Sequence, residues 1–324
     1  MKSVDSAGDS HVLWELEEVV ERELNRHLSA TREWFPHEYV PWSRGRDFDS
    51  LPGGEPWSPE QSPVGELAAI ALKVNLLTED NLPTYHHQFA TLFGEDGAWG
   101  TWVHRWTAEE ARHSVVIRDY LLTSRAIDPV DLERARMAHM STAPPGNDVG
   151  VLENVAYVAF QELATRISHR NTGRVSGDPV CERLLARVAM DENLHMVFYR
   201  NVLAAALEIA PDDTMRAITN VVSSFAMPGA GIPGFTRAAA RMAVGDIYNI
   251  RIHHDEVLQP VLRHLDALHR SGLGAEGRRV QDELGRHLEA VGTQANRFDE
   301  KRATVLARMA DREKARPEGR PRQT

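Results

Sequence analysis

The chain has 324 residues, 42% of them hydrophobic, enough for a sizeable buried core, and a net charge of -10. Acids and bases are interspersed with no basic stripe, which argues against a nucleic-acid partner. The single cysteine, Cys181, excludes an intrachain disulfide, and no run approaches the ~20 apolar residues needed to span a bilayer.

Met1 to Ser10 is polar and lacks the basic and apolar regions of a secretory signal, so a reducing cytoplasm is the expected compartment. Val12, Leu13, Leu16, Val19, Val20 and Leu24 recur at helical spacing and predict an amphipathic helix over about 10–31, with Asp9 and Ser10 as its caps. From about Trp34 to Pro63 the pattern gives way to Pro, Gly, Trp and Ser, an ordered excursion packed on the bundle by its aromatics.

A helix is expected over about 64–92. Pro83 lies four residues after Glu79, so its missing N–H frees the Glu79 carbonyl and predicts a kink there. The next helix, about 101–126, carries Trp102, Trp106, Val115, Val116 and Leu122 and stops before Asp128-Pro129. A short helix near 130–140 and a Pro-Gly loop over 143–150 precede two long helices, about 151–171 and 179–209.

The loop 227–234 separates these from three further helical stretches near 235–270, 275–292 and 293–314, and the charged tail from Arg316 is expected to be disordered. No segment alternates at period two, so the fold class is all-α.

The chemistry lies in two runs of the form acid-Glu-x-x-His: Glu109-Glu110-Ala111-Arg112-His113 and Asp191-Glu192-Asn193-Leu194-His195. On a helix, residues i and i+3 sit one turn apart on the same face, so Glu110 with His113, and Glu192 with His195, can grip one ion. Each run follows another Glu by nearly the same interval: Glu79 precedes Glu110 by 31 residues and Glu162 precedes Glu192 by 30.

One Glu from each of two helices plus ExxH from each of two others suits a di-iron or di-manganese centre in a helix bundle. Glu-dominated ligation favours iron over zinc, with manganese the alternative. A domain boundary inside 65–210 would split this set, so one domain over 1–324, with 65–210 as its metal-binding core, is expected. Asp191 is placed to accept the second N–H of a ligand imidazole. Glu109 competes with Glu110 as a ligand, and the register with Asp191-Glu192 favours Glu110. His86-His87 and His253-His254 are read as packed or solvated side chains, because adjacent helical residues point about 100° apart.

The runs Thr78-Glu79-Asp80-Asn81-Leu82-Pro83-Thr84-Tyr85, Trp106-Thr107-Ala108-Glu109-Glu110-Ala111-Arg112-His113, Phe160-Gln161-Glu162-Leu163-Ala164-Thr165 and Ile167-Ser168-His169-Arg170-Asn171-Thr172 resemble the soluble acyl-acyl carrier protein desaturases, in wording closest to actinobacterial members. The likeness spans most of residues 10–265. It implies a ferritin-like homodimer with flanking helices and two irons per subunit. A ferredoxin-like protein would reduce the irons, and O2 activation would place a cis double bond in an acyl chain held on acyl carrier protein.

The same resemblance makes Glu79, Glu110, His113, Glu162, Glu192 and His195 the metal ligands. Thr165 matches a threonine near the O2-binding face. Trp34 matches a tryptophan linked through Asp191 and His113 to the metal. Tyr85, Gln88 and Leu92 match substrate-channel positions, although Gln88 is more polar than a fatty-acyl tunnel calls for. An oxygenase of the same bundle type, hydroxylating or N-oxygenating another substrate, and an inactive acyl-carrier-binding paralogue are the competing expectations.

Overall fold

The computed structural model describes residues 6–142 and 149–314. The tail beyond 314 and most of the expected 143–150 loop lie outside the described residues. Among those described, the architecture is all-helical apart from one isolated bridge between Phe48 and Glu55.

Helix α1 (Ser6–Ala30) begins ahead of Asp9, so Asp9 does not cap it. Instead the Asp9 Oδ1 accepts the backbone N–H of Val151 at 3.0 Å, the first residue of α6 (Val151–Ser176), and ties two helices together at their starts. The excursion that follows α1 consists of short 3-10 turns and is fastened by one buried cation. Arg125 is 1% exposed, and its guanidinium donates to the carbonyls of Arg46, Asp47, Glu55 and Pro56 and to Gln61.

The stretch expected as one kinked helix over 64–92 is two: α2 (Glu66–Asp80) and α3 (Leu82–Phe93), parted at Asn81. Leu82-Pro83 opens the second helix, where a proline without an N–H costs nothing. The break therefore falls one residue past Asp80, directly beyond Glu79. α4 (Gly97–Thr123) ends earlier than expected, through Arg125 in a left-handed turn at φ 54. Asp128-Pro129 starts α5 (Pro129–Met140), with the Asp128 carboxylate accepting the Val130 N–H at 2.9 Å. α7 (Pro179–Ile209) opens the same way, with Asp178 accepting from Val180 at 3.0 Å.

Three expectations beyond residue 209 are corrected. Helix α8 (Pro211–Ser224) was not expected, although Pro211 at its first position, acids at 212 and 213 and apolar Met215, Ile218, Val221 and Val222 carry the pattern. The 235–270 helix is broken into α9 (Phe235–Val244), α10 (Ile250–Ile252), a π turn over His253–Leu258 and α11 (Gln259–His264). Asn249 caps the second piece, and Pro260, unable to donate, accompanies the π turn, in which the Gln259 N–H reaches back to His254. The two helices expected over 275–314 are one, α12 (Ala275–Lys314). An interior glycine such as Gly292 costs a helix only about 1 kcal/mol against alanine, too little to end it.

α6 and α7 lie side by side as a hairpin, α2 packs on α4 and α6, and α1 covers α7 and α4. Two apolar clusters alternate along the same helices. On α4, Trp99 to Trp106 belong to one and Val116 to Leu121 to the other; on α7, Leu184 to Val188 belong to the second and Met196 to Leu207 to the first. Glu110, His113, Glu192 and His195 fall in the intervals, so polar side chains are held between two greasy plugs. Trp102 in the first plug is fully buried and stacks on Phe198 at 3.5 Å between centroids. Burying such a ring is worth roughly 4–6 kcal/mol at ~25 cal/mol/Å².

Candidate metal centre

The six side chains singled out in the sequence come together. Glu79 from α2, Glu110 and His113 from α4, Glu162 from α6, and Glu192 and His195 from α7 are all buried, and they form two overlapping groups. One is Glu79, Glu110, His113 and Glu192; the other is Glu110, Glu162, Glu192 and His195; within each, one ligand atom per residue lies within 4.8 Å of the others. Glu110 and Glu192 belong to both.

Their inward-facing atoms crowd against one another as imidazole–carboxylate contacts. His195 Nδ1 stands 2.8 Å from Glu110 Oε1, 3.7 Å from Glu192 Oε2 and 3.8 Å from Glu162 Oε2. His113 Nδ1 stands 3.3 Å from Glu110 Oε2 and 3.7 Å from Glu79 Oε2. Beyond these contacts with one another, His113 Nδ1, His195 Nδ1, Glu110 Oε1, Glu162 Oε2 and Glu192 Oε2 make no hydrogen bond among the described residues. Buried polar atoms are rarely left so, and five orphans turned on one space fit a pair of cations.

Around this cluster the outer imidazole nitrogens face carboxylates, as metal-ligating histidines do. Trp34, 3% exposed, donates its indole N–H to Asp191 Oδ2 at 2.7 Å. Asp191 Oδ2 lies 3.5 Å from His113 Nε2, so the Trp34–Asp191–His113 sequence is spatially continuous, with its second step longer than a hydrogen bond. Arg112 and Arg187 also pair with Asp191 and sit over the Trp34 ring. Glu109 lies outside both groups and accepts from His195 Nε2 at 2.9 Å. The acid at the head of each run thus serves the histidine of the other run, a reciprocity that the shared pattern contains.

Sequence reasoning missed three buried neighbours. Trp106, taken as an apolar contact, donates its N–H to Glu162 Oε1 at 3.1 Å. His169 bonds Glu79 Oε1 at 3.0 Å through Nε2 and faces Asn75 at 3.2 Å through Nδ1. His27, on α1, meets Glu109. His169 lies in the run Ile167-Ser168-His169-Arg170-Asn171-Thr172, whereas His27 has no sequence signal beyond being a lone histidine in an amphipathic helix.

Electrostatics follow the crowding. Burial, joined by the Glu192 carboxylate, pushes Glu162 up to about 8. Burial opposes charge on His169, yet Glu192 and Glu79 carry it up to about 9. Burial also works against ionised Asp191 and Glu79, but His113 lowers Asp191 to about 2, and His113 with His169 holds Glu79 far below the carboxylate range.

A pH dependence of stability results. Glu162 and His169 bind protons more tightly folded than unfolded, so each stabilises the metal-free chain fully at low pH. That contribution is lost as pH rises through about 8 and about 9 respectively. The Tm of the chelator-treated protein should therefore fall from pH 7 to pH 9 by differential scanning fluorimetry; a Tm rising across that window would contradict the assignment.

A cavity of about 590 Å³ reaches the cluster. Glu79, Glu110, Glu192, Trp106 and Thr165 stand in its wall, as do Tyr85, Gln88, Phe89, Tyr157 and Phe225. Leu92, expected in the channel, is not in this wall; it lies near the far end of α3 from Asn81 and packs on the first apolar cluster. The Thr165 hydroxyl is within 3.2 Å of the carbonyls of Gln161 and Glu162 on its own helix.

Residues 9–315 match the family model described as fatty acid desaturase. The chain belongs to the fatty acid desaturase family. Among relatives, it is 45% identical over 310 residues to a Mycobacterium tuberculosis protein under the provisional name acyl-[acyl-carrier-protein] desaturase DesA1, covering 93% of this chain and 91% of that one. It is 30% identical over 268 residues to stearoyl-[acyl-carrier-protein] 9-desaturase 1 of Oryza sativa subsp. japonica, covering 75% and 70%. The solved structure of DesA2 from Mycobacterium tuberculosis superposes with a TM-score of 0.64 at 29% identity, covering 79% of this chain and 99% of that one. The helical desaturase fold is therefore shared. Among the described residues no helix is long and apolar enough to cross a membrane.

Proposed function

We propose that this chain is an acyl-[acyl-carrier-protein] desaturase. In this reading two iron ions per chain are held by Glu79, Glu110, His113, Glu162, Glu192 and His195, and O2 is the oxidant that removes two hydrogens to leave a cis double bond. The observation that carries it is the cluster of carboxylate and imidazole atoms that lack hydrogen bonds and adjoin a cavity, in a chain whose relatives bear acyl-carrier desaturase names. An unactivated methylene has no proton that a side chain can abstract, so the bound metals with O2 supply the oxidising power.

The chain's own residues bind, orient and exclude. Phe89, Tyr157 and Phe225 give the acyl chain an apolar wall and shut out water, while Tyr85 and Gln88 place polar groups along it. Trp106 fixes the Glu162 carboxylate, Glu109 fixes the His195 imidazole, Asp191 faces that of His113 at 3.5 Å, and Thr165 stands in the cavity wall with Glu79 and Glu110. Trp34 holds Asp191, which faces the outer nitrogen of His113. The ferredoxin-like donor, the homodimeric state and the cytoplasmic location rest on the family resemblance and the single-cysteine composition.

The test is anaerobic reconstitution of the protein with ferrous iron, then O2, a ferredoxin and reductant, and a series of acyl carrier proteins, with the acyl products weighed by mass spectrometry. Loss of two hydrogens is expected. Gain of an oxygen atom would make the protein an oxygenase instead, and unchanged chains across the series with iron bound would leave an acyl-carrier binder.

A further inference from the structure

The two imidazoles of the cluster are braced by different devices. On the His113 side the brace is Asp191, itself held by Trp34, Arg112 and Arg187. On the His195 side it is Glu109, 2% exposed, whose Oε1 receives Arg105 Nε at 2.6 Å. The Glu109 Oε2 lies 2.9 Å from His195 Nε2 and also 2.9 Å from His27 Nε2.

His27 is wholly buried, so it cannot be a chance surface contact. Its ring meets the Trp102 indole edge-on at 5.0 Å and lies nearly parallel to the His195 ring, 5.8 Å away and 21° off. Among the described residues its Nδ1 makes no hydrogen bond, and the Glu109 contact is the ring's one polar anchor there.

We propose that His27 is a positioning residue for the His195 half of the metal centre. By donating from Nε2 it fixes the rotamer of Glu109, which then holds the His195 ring with Nδ1 turned to Glu110, Glu162 and Glu192. Without that second donor, Oε2 would keep only His195, and the carboxylate would be free to swing with Arg105. His27, Glu109 and His195 could also surround an ion themselves. That arrangement would need His195 deprotonated at both nitrogens to bridge two sites, which the hydrogen-bonding reading does not require.

The inference rests on the metal-centre reading above, and metal binding separates the two. Apo protein is titrated anaerobically with ferrous iron, with ions counted per chain and affinities followed by intrinsic tryptophan fluorescence. Wild type should bind two. His27→Phe, which cannot donate, should keep one ion at wild-type affinity and bind the other roughly 10-fold more weakly, the low end of the 10- to 100-fold cost of losing a partner bonded to the ligand itself. His27→Gln, whose amide supplies an N–H, should recover most of that loss.

Far-UV circular dichroism should show unchanged helicity; if the Phe ring blocks folding, His27→Leu gives the same reading. Two ions bound by His27→Phe as tightly as by wild type would overturn the proposal. So would equal weakening of both ions, unfolding of both the Phe and Leu chains, or a third ion in wild type that disappears on substitution. Wild type binding no iron would instead remove the metal centre itself.

Discussion

Glu192→Ala should empty the centre of both ions and bring turnover to the level of metal-free protein. Glu192 is one of two carboxylates common to both groups, with Oε1 3.8 Å from His113 Nδ1 and Oε2 3.7 Å from His195 Nδ1. Truncation takes a donor from each ion at once and leaves the remaining carboxylates to repel one another unless they take up protons. The loss should exceed the 10- to 100-fold typical of residues behind the ligands. Glu162→Ala removes a member of the His195 group alone, so it should abolish two-ion loading but leave one ion bound. Elemental analysis after anaerobic loading reads both, and two ions per chain in Glu192→Ala would refute the ligand assignment.

The largest loss of stability away from the centre is expected at Arg125. Its guanidinium gathers four backbone carbonyls and Gln61 and lies over the Phe48 ring at 4.2 Å. Its own carbonyl accepts the Trp57 indole N–H at 2.9 Å, so excursion and turn hold each other. Arg125→Met keeps the length but strands those carbonyls, at a cost of about 3 kcal/mol after partial rehydration. For a 324-residue chain, at ~2.1 cal/mol/K of unfolding entropy per residue, that lowers Tm by roughly 4–5 °C. Lysine should rescue little, since one ammonium cannot replace a planar fork that reaches several acceptors. Limited proteolysis should then cut within residues 45–63; a resistant segment and an unchanged Tm would show that the excursion is held by its aromatics instead.

His27 and Arg125 are made important by tertiary structure. Both residues are unremarkable in the sequence, a histidine among helical polar positions and an arginine after a helix. Burial turns each into a hub, because a buried donor must find acceptors and the acceptors come from segments far away in the chain.

What the residue order settles by itself is local and periodic. The all-helical class comes from apolar spacing, and the starts of α5 and α7 from Asp-Pro pairs. The pairing of Glu110 with His113 and Glu192 with His195 comes from one helical turn. The break beyond Glu79 is visible in Pro83, and the near-equal intervals between acids announce two halves facing one centre.

Folding alone decides what depends on the relative rotation and depth of helices that are not neighbours in sequence. It brings Glu109, which the register sets aside as a ligand, to the outer nitrogens of His195 and His27. It sets Leu92 against the apolar core and Tyr85 and Gln88 in the cavity wall. It joins 275–314 into one helix and splits 235–270 into pieces, because packing and a donor-less proline outweigh a propensity difference of about 1 kcal/mol.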